Sequence, residues 1–375
     1  MASRLQHAAA GNQSRSAPDD RTGSDRDKGI TSLNGRCVPA GSGHKVRTQP
    51  CPAPCPMVCL NPGAVGGSNK DVRTKILYIM GSGRSGSTLL DTVLSDQPGM
   101  FGAGELCNLL SAMDVRHNYC ACGRRSAECP LWLAVRAEWS RSAVTDVARE
   151  YPALQRRVER IRNYPRHRGS TSESFTERYL ELTRALFAAI ANVSGATTIV
   201  DSSKGPVRAL ALSRMHDVDL RVIHLVRDVR GVAYSTGKRF ASDPKGGIMS
   251  ALNGKSSTRT AANWMLVNAV ANRVRARLGE RATLVRYEDF VTRPAQILRR
   301  LSEFSGVDFA ATAEKLERGR GFKAGHTIEG NRLRMHDRIE LRPDIRWREH
   351  MSKTKQSLLP LLTAPVAWGY GYHPR

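Results

Sequence analysis

The apolar run Lys75-Ile-Leu-Tyr-Ile-Met80 passes directly into Gly81-Ser-Gly-Arg-Ser-Gly-Ser-Thr88, and this junction limits the possible folds more than any other feature of the chain. A short apolar run closed by glycine reads as a buried strand. A helix follows from Thr88 to about Asp96 and stops before Pro98, since the residue before a proline is pushed out of helical geometry. A tight loop between a buried strand and a helix points backbone N–H groups and the positive end of a helix dipole at one spot, which makes an anion site. Gly81, Gly83 and Gly86 allow close backbone approach, Arg84 adds a fixed positive charge, and Ser85, Ser87 and Thr88 add hydroxyls. A bare turn would need neither the arginine nor the hydroxyls at the helix mouth.

The rest of the chain repeats the strand-to-helix rhythm. Thr197-Thr-Ile-Val200 reads as a strand ending in Asp201-Ser-Ser-Lys204, with Pro206 opening a helix, where its missing N–H does no harm. Arg221–Val226 is a third strand, ending in Arg227-Asp228 before a helix from about Arg230. Ala282–Arg286 is a fourth, leading through Tyr287–Phe290 into a helix from Pro294 to Phe304. Further helices are expected near 131–149 and 153–162, from 173 to 191, and from 258 to 278. Strands alternating with helices imply an α/β fold, a P-loop-like parallel sheet covered by helices on both faces. In such sheets ligands bind beyond the carboxyl ends of the strands. Residues 81–88, 201–204 and 227–235 all fall on that edge.

Residues 1–73 are rich in Ser, Gly, Pro, Asp and Arg and show no period of 2 or 3.6, so they read as a disordered tail. The ordered domain is expected over 74–375. Net charge is +24, from 58 basic and 34 acidic residues, which favours an anionic partner without naming it. No nucleic-acid module accompanies the charge, so no nucleic-acid partner is expected. No stretch approaches the roughly 20 apolar residues of a membrane span, and the N-terminus lacks a signal-peptide core. A cytoplasmic location follows by default.

GSGRSGSTLL resembles the 5'-phosphosulfate loop of sulfotransferases that use 3'-phosphoadenosine-5'-phosphosulfate (PAPS), in the form of the carbohydrate and tyrosyl-protein branches. The segment from Val222 to Ser235, with Arg227 followed eight residues later by Ser235, resembles the 3'-phosphate segment of the same family. The resemblance covers roughly residues 75–350. It implies PAPS as donor, a hydroxyl or amine acceptor and no metal. Arg84 and Lys204 then face the leaving side, where negative charge grows. Glu105, after Gly102-Ala-Gly104, becomes the general base, carried back by a reversal at Pro98-Gly99. His117 and His326 are reserve bases. Arg227 and Ser235 hold the 3'-phosphate, and Arg332 or Arg334 closes over a phosphate from a basic loop. Asp228 is expected to cap its helix, and His224, Trp264 and Trp347 to pack in cores.

Two competing readings remain. A Mg-ATP phosphotransferase is suggested by the strand ending in Asp201, but Ser87 stands where that family's loop carries lysine. A basic protein binding anionic glycan or nucleic acid is suggested by charge alone. Residues 102–195 and 238–258 carry no donor motif and are expected to shape the acceptor pocket, with 238–258 either a lid or a plain surface loop. The acceptor class, whether carbohydrate, lipid, phenol or peptide tyrosine, is open. Cys107, Cys120, Cys122 and Cys129 read first as buried thiols, with a zinc site or a disulfide as the alternatives. A metal at Cys51, Cys55 and Cys59 is disfavoured by the spacing and the crowding prolines.

Overall fold

Five parallel strands lie in the order β2-β3-β1-β4-β5 in a computed structural model that describes residues 73–373 except 115–117, 169–172, 240 and 249–252. The elements run β1 (Lys75–Met80), α1 (Ser87–Leu94), β2 (Met100–Gly104), α2 (Leu109–Asp114), α3 (Pro130–Ala143), α4 (Val147–Val158) and α5 (Ser174–Ser194). They continue with β3 (Thr198–Lys204), α6 (Pro206–Leu212), β4 (Asp219–Val226), α7 (Val229–Gly237), α8 (Ser257–Leu278), β5 (Ala282–Arg286) and α9 (Tyr287–Thr292). The chain ends with α10 (Pro294–Ser305), α11 (Ala310–Glu317), α12 (Trp347–His350) and α13 (Lys353–Ala367). The expected tail, apart from Arg73, and its cysteines lie outside the described residues, as does His117.

The strand period of two divides the core. From β1, Ile76, Tyr78 and Met80 pack with α3, α5, α6 and α8, while Leu77 and Ile79 pack with α1, α9 and α10. A third cluster joins the end of β4 to α7, α8 and α13 around Trp264 and Trp347. Both tryptophans are therefore core residues, as expected. Trp264 Nε1 also donates to the Arg227 carbonyl at 2.9 Å. His224 is buried in β4 beside Asn268 at 3.0 Å, and burial lowers its pKa to about 4.

The sequence reading missed β2. Met-Phe-Gly-Ala-Gly has two glycines in five residues and weak strand propensity. It nevertheless pairs with β3, Met100 opposite Thr198 and Phe101 opposite Ile199. The expected helix over 131–149 is two helices, separated at Val144, which takes a positive φ of 49°. β3 continues through Asp201-Ser-Ser-Lys204, which the sequence reading placed beyond the strand.

Beneath the sheet edge, Arg208 on α6 is fully buried. It donates to Asp201 at 3.0 Å and 3.2 Å, to Glu159 at 2.6 Å, and to the hydroxyls of Tyr179 and Tyr151 at 2.6 Å and 3.2 Å. This network locks α4, α5 and α6 to β3. Among the described residues no helix is long and apolar enough to cross a membrane.

Removing one partner from a buried charge network leaves the other charges unpaired in a poorly solvating interior. Arg208→Ala is therefore expected to lower the urea-unfolding free energy by about 3–5 kcal/mol. Arg178→Ala, which breaks half-exposed pairs with Glu150 and Glu181, should cost no more than about 1 kcal/mol. Equal losses for the two variants would show that the Arg208 network does not hold these helices.

Candidate active site

The ends of β1, β2, β3 and β4 converge on the loop at 81–86. Gly81 N–H donates to the Lys204 carbonyl at 3.0 Å, which ties that loop to the end of β3. Gly86 has φ 96°, and a Cβ there would sit 2.5 Å from the Tyr287 ring, so only glycine fits. No side chain caps α1 at Gly86. Its first N–H groups are therefore left for a ligand. Ser85 Oγ is buried with no hydrogen-bond partner. A buried hydroxyl left unpaired is costly. An anionic oxygen bound in this loop would satisfy both it and the helix end, so the residues present fit a bound phosphate or sulfate group.

Four non-glycine residues among those described have positive φ: Arg84, Val144, Lys204 and Glu329. Three of them surround this edge. Such backbone costs of order 1–3 kcal/mol per residue and persists where the surroundings over-determine it. Lys204, at φ 69°, turns its side chain to form an ion pair with Glu105, and both side chains are largely buried. Glu105 arrives at the C-terminal end of β2. Its N–H donates to the Ile328 carbonyl at 3.0 Å, and Ile328 N–H donates back to the Ala103 carbonyl at 3.1 Å. Gly104, at φ 77°, would drive a Cβ to 2.2 Å from the Ile328 carbonyl oxygen, so this contact requires glycine. Thr88 Oγ1 accepts from Asn331 N–H at 3.0 Å. The loop, Glu105, Lys204 and the 328–331 segment are thus one assembly. Burial lowers the Arg84 pKa, Glu105 raises it and Arg332 lowers it, which places Arg84 in the same electrostatic field.

Arg227 and Ser235 are related through α7. The Arg227 side chain lies across Gly231, whose missing Cβ leaves it room. Ser235 is half-buried one helical turn further on the same face. The Arg227 guanidinium is buried over the Tyr287 ring, 4.4 Å from its centroid, and meets the Arg84 carbonyl at 3.3 Å. It also pairs with the Asp344 carboxylate at 3.3 Å. Asp228 caps α7 by accepting from Arg230 N–H at 2.8 Å, as expected.

Sequence reasoning missed Lys238, Arg346, Asp344 and Tyr287. The Lys238 pKa is lowered by burial first, then by Arg346, with Arg332 and Arg227 acting in the same direction against Asp344. Lys238, Arg346, Arg332 and Arg227 therefore share one field with the Asp344 carboxylate. No short motif marks them, because they come from three distant segments. The sequence reading also paired Arg332 with Arg334 as alternatives. Arg332 is exposed, whereas Arg334 is buried and donates to the carbonyls of Gly330, Asn331 and Tyr119 at 3.2–3.4 Å. Arg334 is thus committed to backbone. His326 faces the cysteines rather than Glu105, so its role as a reserve base is not supported.

Asp201 has no oxygen to spare. One accepts from Ser203 N–H at 3.0 Å and from its hydroxyl, and the other accepts from Arg208. Asp91 is a further buried acid at this edge. Its Oδ2 accepts from Gly104 N–H at 3.2 Å, immediately before Glu105, and its Oδ1 has no partner.

A family described as "Sulfotransferase family" matches residues 77–311. No curated protein matches the chain. Among solved structures, the sulfotransferase domain of the Synechococcus PCC 7002 olefin synthase is similar at 22% identity and a TM-score of 0.45, covering 80% of this chain and 94% of that one. The sulfotransferase domain from the curacin biosynthetic pathway is similar at 21% and 0.43, covering 80% and 99%. A sulfotransferase from Mycobacterium avium is similar at 15% and 0.43, covering 80% and 77%.

Burial raises the Asp91 pKa from an ordinary 3.8 to about 7, against hydrogen bonds from Ser202 and Gly104. An acid with a raised folded pKa holds its proton longer folded than unfolded. Its contribution to stability is therefore full below about pH 4 and is lost as pH rises through about 7. Urea-unfolding free energies between pH 4 and 7 should accordingly show an extra slope of about −1.4 kcal/mol per pH unit in the native protein relative to Asp91→Asn. Parallel pH profiles would mean that Asp91 is ionised in the fold.

Proposed function

We propose that this chain, which belongs to the sulfotransferase family, transfers a sulfuryl group from PAPS to a hydroxyl or amine acceptor, with residues 74–375 as the catalytic domain. The observation that carries the reading is the Glu105–Lys204 ion pair beside an uncapped helix N-terminus whose loop has serine in place of the phosphotransferase lysine. A base and a cation at one point suit a displacement in which a proton leaves the attacking oxygen while charge grows on the departing one.

Bound PAPS supplies a sulfur atom activated by a good leaving group, adenosine 3',5'-bisphosphate. The loop N–H groups, Arg84, Ser85, Ser87 and Thr88 hold its 5' end. Arg227 and Ser235 hold its 3'-phosphate, with Lys238, Arg332 and Arg346 adding positive field. Glu105 takes the acceptor proton as the bond from the acceptor oxygen or nitrogen to sulfur forms and the bond to the 5'-phosphate oxygen breaks. Lys204 counters charge on that departing oxygen. Before a donor binds, the Glu105 carboxylate is engaged by the Lys204 ammonium. A donor that draws the ammonium towards itself frees the carboxylate, so proton removal is tied to donor arrival.

The Mg-ATP alternative loses support at Asp201, whose oxygens are already used by Ser203 and Arg208. Arg227 is matched in charge by Asp344 before any anion arrives. A phosphate group entering there would displace a carboxylate rather than meet a bare cation.

Calorimetric titration with adenosine 3',5'-bisphosphate is expected to show saturable binding that does not require Mg²⁺. Arg84→Ala and Arg227→Ala should each weaken it roughly 10- to 100-fold, the range for a lost charge-assisted hydrogen bond. Preference for Mg-ATP, or binding that neither substitution weakens, would overturn the assignment.

A further inference from the structure

The cysteine cluster has a partner that spacing alone could not reveal. Cys120, Cys122, Cys129 and His326 bring three sulfurs and one ring nitrogen within 4.8 Å of one another. Cys122 and Cys129 Sγ are 3.8 Å apart, and His326 Nδ1 lies 3.3 Å from Cys129 Sγ and 3.8 Å from Cys120 Sγ. A tetrahedral zinc ion, with Zn–S near 2.3 Å and Zn–N near 2.0–2.1 Å, sets S···S at about 3.8 Å and S···N at about 3.6 Å. These three of the six ligand pairs already stand within about 0.3 Å of those separations, and all four ligand atoms lie within 4.8 Å of one another. Cys107 is not among them: its N–H donates to Ser203 Oγ at 3.0 Å and its thiol lies near the Ser203 carbonyl.

The surroundings are those of a built site. Cys120 N–H donates to the Arg124 carbonyl at 2.9 Å, and Gly123 N–H returns to the Cys120 carbonyl at 2.9 Å, closing a tight turn around two of the sulfurs. Cys129 is the N-cap of α3. The His326 carbonyl accepts from buried Trp132 Nε1 at 2.7 Å, which fixes the backbone that carries the ring. Ala121 N–H donates to the Thr327 carbonyl at 3.2 Å.

We propose that Cys120, Cys122, Cys129 and His326 Nδ1 form a structural zinc site that fastens the 326–335 segment across the candidate active site. Four protein ligands close the coordination shell, which distinguishes a structural site from a catalytic one with an open position. The fastened segment is the one that meets Ala103 and Glu105 through Ile328, Thr88 through Asn331 and Tyr119 through Arg334. It also carries Arg332. The site connects two pieces of chain about 200 residues apart, where a cross-link removes most freedom from the unfolded chain. It stands or falls independently of the donor and the acceptor.

The test is zinc per chain, by inductively coupled plasma mass spectrometry, on full-length protein produced with zinc in the medium. About one zinc per chain is expected, and it should persist in Cys107→Ser and in the combined Cys51→Ser, Cys55→Ser, Cys59→Ser variant. Cys122 is exposed, so Cys122→Ser should fold while losing zinc to a competing chelator at least 10-fold more readily. Cobalt in place of zinc should give the ligand-field bands of a tetrahedral, sulfur-rich site. Stripping the metal should speed amide exchange at Ile328 and Glu105 several-fold. No zinc in the native protein, a disulfide among the three cysteines, or zinc lost with the tail cysteines would overturn the site. Unchanged amide exchange after stripping would overturn its fastening role.

Discussion

The parallel pairing of β1 between β3 and β4 is the constraint on which the rest depends. β1 pairs with β4 in register from Lys75 to Met80, but with β3 it shifts between Tyr78 and Met80, so that Met80 lies opposite Lys204. That irregularity, with the Gly81 to Lys204 hydrogen bond, sets the loop at 81–86 beside the lysine. A flush register would carry Lys204 away from the loop, because a one-residue slip turns every side chain to the other face. The apolar runs that define the core therefore also set the spacing of the charged groups.

The site holds more cations than acids, and each acid has a distinct place. Glu105 meets Lys204, Asp344 meets Arg227 and Arg346, and Asp201 is spent on Arg208. A guanidinium as buried as that of Arg227 needs an anion near it at all times. Asp344 fills that need in the absence of ligand, and Arg346, exposed and at 2.6 Å, can keep the carboxylate if an incoming phosphate takes Arg227. The exchange trades one ion pair for another rather than stripping a buried charge.

Much of this was legible in the sequence. β1, β3, β4 and β5 announce themselves as apolar runs ending in glycine or polar residues, and the glycines, arginine and hydroxyls of 81–88 mark a strand-to-helix loop that reads as a candidate anion site. Lys204 was legible as a cation at a strand end and Glu105 as a carboxylate beyond the Pro98-Gly99 reversal, though their pairing was not. β2 stayed hidden because an edge strand of small residues draws its stability from β3, not from propensity. Lys238, Asp344 and Arg346 were invisible because charged surface residues carry no periodic mark, and only the returning chain brings them together. Arg334, expected with Arg332 as an alternative phosphate contact, satisfies backbone carbonyls inside the fold instead, a use that a basic loop does not announce. His326 showed its place only once 200 residues of chain had closed.

That closure bears on how the protein is made. Glu105 is placed by Ile328, which lies 223 residues further along the chain. At roughly 5–20 residues per second, a ribosome needs about 10–50 s to travel between them. In that interval β1, β3 and β4 can already pair and the Arg208 network can already close, while the end of β2 at Ala103 and Glu105 waits for Ile328. Until Ile328 is made, that end of β2 has open backbone groups, of the kind that can pair with another chain. The glycines of β2, costly to its stability, also make that waiting end a poor template for aggregation.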